Sequence, residues 1–295
     1  MNGIIVINKP PEFTSFDVVA VVRKLSGEKK AGHTGTLDPN ATGVLPVLLG
    51  SATKAQDIIP VQDKSYIADF LFGKATDTLD IWGEVTEEKK SFVTKEELLS
   101  ALKGFEGKIT QLPPMYSAVS VGGKRLYEYA RQGIEVERKS REVTVYSLQL
   151  LEFDEKTQRG RISVSCSKGT YIRTLIADIA DALHTVGCMT ALVRTAACGY
   201  TLDDAITLDE LKAQSEQGEI IPREVESLFT VYPALEVSDK QAVRFKNGNP
   251  LDLIRLKDVE KEDKKIYRVH NRNHEFLSLG ITDLEKGELK LYKYF

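Results

Sequence analysis

RISVSCSKGTYIRTLIADIADAL, residues 161–183, sets the architecture. Ile162, Val164 and Cys166 alternate as in a strand with one face buried. After the turn at Gly169, the period changes to that of a helix: Ile172, Leu175, Ile176, Ile179, Ala180 and Leu183 recur at spacings of three and four, and Gly187 is expected to close it. Working outward, Gly3–Ile7 is a strand and Thr14–Leu25 a helix whose Thr14-x-x-Asp17 has the form of a capping box, ended by Gly27. Lys64–Phe72 is a strand. Thr94-Lys-Glu-Glu97 caps a helix carrying Leu98, Leu99, Leu102 and Phe105. Val143–Leu150 is a strand whose parity slips once, as at a bulge. Strands and helices mix without regular βαβ alternation, so the fold class is α+β.

Beyond an acidic segment at 201–229, four short pieces (Gln241–Phe245, Ile266–Val269, Phe276–Ile281 and Leu289–Tyr294) are expected as strands of a small β domain. Residues 1–230 and 231–295 are therefore expected to be separate domains. The acidic segment holds eight acids against Lys212 and Arg223 and is expected to be a solvated connector. Residues 156–200 instead carry Lys156, Arg159, Arg161, Lys168, Arg173 and Arg194, a possible basic face.

Hydrophobic residues make up 42% of the chain and charged residues 28%, which excludes a disordered or fibrous protein. No apolar run reaches the roughly 18 residues of a membrane span, and Pro46 breaks the longest, Gly43–Gly50. The N-terminal apolar stretch is too short for a signal peptide, so the expected location is the cytoplasm, with no membrane partner. Cys166, Cys188 and Cys198 form no C-x-x-C pair and are expected as small core residues. His270 and His274 lack the helix and glutamate of a zincin, so no metal site is expected.

One loop stands out for chemistry, AGHTGTLDPNATG at 31–43. Its glycines allow close backbone approach to a ligand, and Pro39 stiffens the chain after Asp38. It contains no phosphate-loop, dinucleotide or nucleophile-elbow pattern. A carboxylate of this kind is able to act as a covalent nucleophile at a sugar's anomeric carbon.

Five ordered motifs give that carboxylate a context: residues 32–43, Lys64-Ser-Tyr66, Thr76/Thr78/Asp80/Gly83, Gln111–Ala118 with Tyr127–Arg131, and Cys166–Thr174. Together they resemble the TruB-type tRNA pseudouridine synthases. The resemblance runs over residues 3–200, and beyond it the tail is similar to a small PUA-like RNA-binding β domain. Two positions depart from the family pattern. Glu12 stands at a usual glycine, and Val193 stands where a first arginine of Leu-Arg-Arg-Thr is usual.

The resemblance implies a pseudouridine synthase fold, with a mixed, largely antiparallel sheet flanked by helices and loops. It also implies isomerisation of the T-loop uridine at tRNA position 55, with no cofactor. Asp38, Tyr66 and Arg173 would be catalytic: Asp38 attacks C1′ or deprotonates the sugar, Tyr66 stacks on the flipped uracil near C5, and Arg173 keeps Asp38 charged and aimed. His33, Tyr171, Leu192, Lys64 and Lys9 would bind substrate, with His33 holding the loop or displacing the base. The protein would act as a monomer on the tRNA T stem-loop, without an obligate protein partner. Three rivals remain at this level: an RNA-binding module without catalysis, a carboxylate glycosidase with a second acid about 5 to 10 Å from Asp38, and a relative working inside a guide-RNA particle. No motif offers the glycosidase its second acid. The absence of long basic tails favours a stand-alone enzyme over the third.

Overall fold

Three helices begin where threonine side chains cap them: Thr14 before α1 (Ser15–Ser26), Thr94 before α2 (Lys95–Leu102) and Thr207 before α5 (Leu208–Gln217). In each, the cap oxygen accepts from the N3 amide and the N3 carboxylate returns a bond to the cap amide, so two otherwise orphaned donors are satisfied. The computed structural model describes residues 1–295. Its first strands are β1 (Gly3–Lys9), β2 (Ala31–His33), β3 (Thr42–Leu49), β4 (Lys64–Phe72), β5 (Lys74–Thr76), β6 (Val85–Glu88) and β7 (Gly107–Gln111). A small hairpin, β8 (Ser120–Val121) with β9 (Lys124–Arg125), leads into α3 (Leu126–Ala130). Then come β10 (Arg141–Asp154), β11 (Arg159–Cys166), α4 (Ile172–Ala182), β12 (Gly187–Ala197) and β13 (Tyr200–Thr201).

Nine strands form one sheet, ordered β1-β3-β12-β4-β11-β10-β7, with β2 beside β3 and β13 beside β12. Every pairing in it is antiparallel except β12 with β3, which run parallel where Val193 meets Thr42 and Arg194 meets Gly43. The α+β class and the largely antiparallel sheet expected from the sequence are what the molecule has. β3 shares one edge between two partners, β12 at Thr42–Gly43 and β2 at Val47–Leu49. Pro46, which has no N–H to donate, sits in the gap between them. The loop carrying Asp38 joins β2 to β3 across that gap.

β1 and β3 are buried on both faces, which is why their sequences are continuously apolar. Ile5, Ile7, Leu45, Val47 and Leu49 pack under α1 and against Leu211 of α5. Ile4, Val6, Val44 and Leu48 face a second cluster around Leu228 and Phe229. On the other half of the sheet, α4 and α2 cover β4 and β11 through Ile172, Leu175, Ile176, Ile179, Leu98 and Leu102. Each such side chain contributes about 1.5–3 kcal/mol of burial relative to exposure.

Several local expectations are corrected. Residues 31–33 are strand, not loop. Phe105 lies in a 3-10 turn just past α2. α4 ends at Ala182 with His184 in the left-handed region (φ 55°). Gly187 therefore caps nothing; it opens β12, where an added Cβ would lie 2.9 Å from Phe72. β10 shifts register twice, after Val145 and after Leu150. Gln241–Phe245 is helical, within α6 (Asp239–Lys246), because Ser238 and Gln241 form a capping box that outweighs the apparent alternation.

The acidic segment is no solvated connector. Ile206 and Arg223 bond through their backbones to Val6, Asn8 and Ile4, covering the outer edge of β1. Nor is the basic stretch one face: Arg173 and Arg194 are buried, and Arg161 is paired with Asp69. The remaining strands, β14 (Ala234–Glu236), β15 (Leu251–Asp252), β16 (Ile266–His270), β17 (Phe276–Asp283) and β18 (Glu288–Lys293), form a second sheet ordered β14-β16-β17-β18-β15. Leu279 joins the cluster around Phe229, and Glu226 accepts from Arg268 Nη1 at 2.7 Å and meets His270 Nε2 at 2.8 Å. No helix is long and apolar enough to cross a membrane.

Candidate active site

Residues 34–41 have few backbone partners of their own, so long side chains from elsewhere hold them. Lys9, fully buried at the end of β1, donates to the carbonyls of Pro10 (2.8 Å), Phe13 (2.6 Å) and Pro39 (2.8 Å). Ser15, at the start of α1, accepts from the Leu37 amide at 2.9 Å. Arg194, also fully buried, bonds the carbonyls of Val44 (2.7 Å), Gly35 (3.2 Å) and Thr36 (3.4 Å). Gly43 is required where β3 begins: with φ +102°, a Cβ there would lie 2.2 Å from the Arg194 carbonyl oxygen. These ties fix Leu37 and Ala41 in the core and leave the Asp38 side chain 39% exposed between them.

Opposite stands the first turn of α4. Gln111, buried at the end of β7, holds the backbone of Tyr171 from both sides, accepting from its N–H at 2.9 Å and donating to its carbonyl at 3.2 Å. Two residues on, Arg173 is 5% exposed and reaches Asp38 with two nitrogens, Nε to Oδ2 at 3.0 Å and Nη2 to Oδ1 at 3.2 Å. Its other bonds go to the carbonyls of Thr78 (2.7 Å) and Tyr116 (2.8 Å). Asp80 Oδ2 lies 3.7 Å from Nη1. Burial raises the Asp80 carboxyl above its ordinary range, opposed by the Thr78 hydroxyl and Arg173. Asp80 Oδ1 is already engaged by Thr78 Oγ1 (2.8 Å) and the Trp82 amide (3.2 Å). A second carboxylate thus lies against the same guanidinium, where the motifs alone offered no second acid.

Leu37, beside Asp38, and Ile172, beside Arg173, root both walls in one apolar cluster. Tyr66 of β4 and Leu192 of β12 belong to the same cluster. Tyr66 is in register with Arg194 on β12 and Val164 on β11. Burial pushes the Tyr66 hydroxyl up to about 12, with Arg194 partly opposing the shift. His33 ends β2 with Nδ1 buried and unpartnered, and burial together with Arg194 lowers its pKa. Lys64, also lowered by burial, donates to the Gln62 carbonyl at 2.9 Å and lies below Gly35.

Asp38 and Arg173 are thus paired, and the cluster that takes in their neighbours Leu37 and Ile172 also holds Tyr66 and Leu192; Tyr171 stands two residues before Arg173, and His33 ends the strand that leads into the Asp38 loop. Lys9 departs from its expected role, since all three ammonium protons go to main-chain carbonyls and none is free for a substrate. Burial pulls that ammonium down to about 8, with Asp38 opposing. Arg194 is a further residue of the site, absent from the sequence-based set. It is a buried cation whose hydrogen bonds go to carbonyls, and its signal in the sequence is its place as the second arginine of the Leu-Arg-Arg-Thr pattern, kept although Val193 replaces the first.

Residues 23–172 match the TruB family pseudouridylate synthase (N terminal domain), and residues 173–227 match the tRNA pseudouridylate synthase B C-terminal domain. Proteins named tRNA pseudouridine synthase B are similar to the chain. One from Clostridium perfringens is 44% identical over 288 residues, covering 97% of each chain. One from Geobacillus thermodenitrificans is 44% identical over 263 residues, covering 86% of each. Among solved structures, the crystal structure of a Cbf5-Nop10-Gar1 complex contains a chain with TM-score 0.73 and 27% identity, covering 99% of this chain and 84% of that one.

Proposed function

The chain belongs to the TruB family of pseudouridylate synthases, and on that footing we propose that it converts uridine to pseudouridine at position 55 in the T loop of tRNA. The observation that carries this reading is the Asp38 carboxylate, gripped by two nitrogens of a buried arginine yet 39% exposed, where its neighbour Leu37 joins the apolar cluster that also holds Tyr66 and Leu192. The reaction breaks C1′–N1, turns the base and joins C1′ to C5; the C5 proton is lost and N1 gains one. No atoms or electrons are gained overall, so the chemistry needs no cofactor.

Asp38 either attacks C1′ or removes a sugar proton toward a glycal. Extruding the uridine costs roughly a few kcal/mol, which stacking on Tyr66, worth about 1–3 kcal/mol, offsets. With its hydroxyl pushed up to about 12, Tyr66 works near C5 as a neutral phenol. Arg173 keeps Asp38 charged and aimed once the base has excluded water. Tyr171 and Leu192 frame the base, His33 occupies the side from which it leaves the loop, and Lys64 adds positive charge beneath the loop. Residues 231–295 act as a PUA-like RNA-binding domain beside the catalytic residues 1–230.

A stand-alone monomer in the cytoplasm fits better than a subunit of a guide-RNA particle, because identity to the synthase B proteins (44%) far exceeds that to the Cbf5 chain (27%). The test is a mass-spectrometric map of unmodified tRNA transcripts after exposure to the purified protein. Pseudouridine confined to position 55 is expected; unmodified tRNA at enzyme excess would sink the reading.

A further inference from the structure

Phe16 is 75% exposed although it stands in the first turn of α1, beside the residues that hold the catalytic loop. Its neighbour Ser15 bonds both the amide and the carbonyl of Leu37, the residue preceding Asp38. The phenyl ring is therefore mounted on a helix start that is tied to the residue before Asp38. It meets the His33 ring edge to face, with centroids 5.4 Å apart and planes at 78°. Burial, and after it Arg194, lowers the His33 pKa, which disfavours a cation against the ring. Nothing else in the fold covers Phe16.

We infer that Phe16 is an RNA-contacting residue: its open face stacks on an unpaired T-loop nucleobase neighbouring the extruded uridine, while its edge contact with His33 steadies that histidine. This rests on the isomerase reading above and adds a second base-binding position to it. The partner is a nucleobase because the surface is a single flat ring with no apolar groove around it to receive a peptide. It also touches His33 and adjoins Ser15, both joined to the loop that carries Asp38, and the substrate proposed for that loop is an unstacked RNA loop. A stacking platform accepts any base, so Phe16 is expected to add affinity more than sequence choice.

The experiment measures binding of a T-arm stem-loop RNA by anisotropy in the Asp38→Asn background, and steady-state kinetics in the active protein. Phe16→Ala is expected to weaken binding and raise KM by about tenfold, with kcat within about twofold. Phe16→Trp should restore both, and Phe16→Leu, which keeps apolar bulk but no π face, should not. Replacing T-loop bases one at a time by abasic sites should reveal one position at which wild type and Phe16→Ala bind equally. Binding by Phe16→Ala within twofold of its parent, or full rescue by leucine, overturns the contact. A protein that shows the Phe16 dependence but forms no pseudouridine overturns the isomerase reading and leaves the contact standing.

Discussion

Arg173 and Asp38 meet along one edge of the guanidinium, and the far side of that guanidinium is held by the Thr78 and Tyr116 carbonyls. The arginine is thereby fixed before any substrate arrives. A lysine at 173 supplies charge but not the fork, so Arg173→Lys is expected to lower kcat by about 10²-fold or more. Asp38→Asn should abolish tritium release from C5-labelled uridine in tRNA while RNA affinity stays within a few-fold. Surviving turnover in that variant would remove Asp38 from the chemistry.

Tyr66 offers a ring and a hydroxyl, and Tyr66→Phe separates them. RNA affinity should hold within a few-fold while kcat falls by about 10²-fold. Stability carries a second signature. The folded pKa of about 12 lies above the ordinary value of 10.0, so this contribution is complete below pH 10 and lost as pH rises toward 12. Thermal melts across that range should fall less steeply for Tyr66→Phe.

Lys9 is a tie between the first strand and the catalytic loop. Lys9→Met strands three carbonyls and should destabilise the fold by about 2–4 kcal/mol in urea titrations. Its pH effect opposes that of Tyr66. Because the folded value of about 8 lies below the ordinary 10.5, the unfolded chain holds the extra proton between them, and stability gains with pH across that window. The variant should lose this gain.

Gly43 passes the Arg194 backbone too closely for any side chain. Gly43→Ala should cost at least about 3 kcal/mol, combining steric overlap with an unfavourable positive φ. Activity should fall with it, since the same strand crossing anchors the loop. A stable, active Gly43→Ala protein would show that the crossing relaxes freely.

Glu12 occupies the position where a glycine is usual, and the backbone there is left-handed, φ 64°. Its side chain is exposed. Glu12→Gly should raise stability by up to about 1 kcal/mol without altering kcat, as relief of backbone strain exceeds the added freedom of the unfolded chain. A loss of stability would mean that the glutamate makes compensating contacts.

What was legible in the sequence was local. Capping boxes at Thr14 and Thr94 and the three-four spacing of α4 can be read within a dozen residues, and the structure has those helices. Motif resemblance pointed to the pairing of Asp38 with Arg173, which no periodicity reveals. The inward turns of Lys9 and Arg194 were not legible: lysine and arginine are ordinarily surface residues, and their carbonyl partners lie as far as 30 and 159 residues away. α6 is hidden for the opposite reason, since Val243 and Phe245 alternate as in a strand although Ser238 caps a helix there.

The parallel seam between β3 and β12 joins the beginning of the catalytic sheet to its end, and Arg173 and Arg194 lie 135 and 150 residues from the groups they grip. During synthesis, the loop around residue 38 has Lys9 and Ser15 beside it early, but must wait for Arg173 and Arg194 until most of the chain has left the ribosome. Folding of this centre is a late event dominated by distant contacts. A nascent fragment should accordingly have no isomerase activity of its own, so premature modification of RNA by incomplete protein is avoided by topology alone.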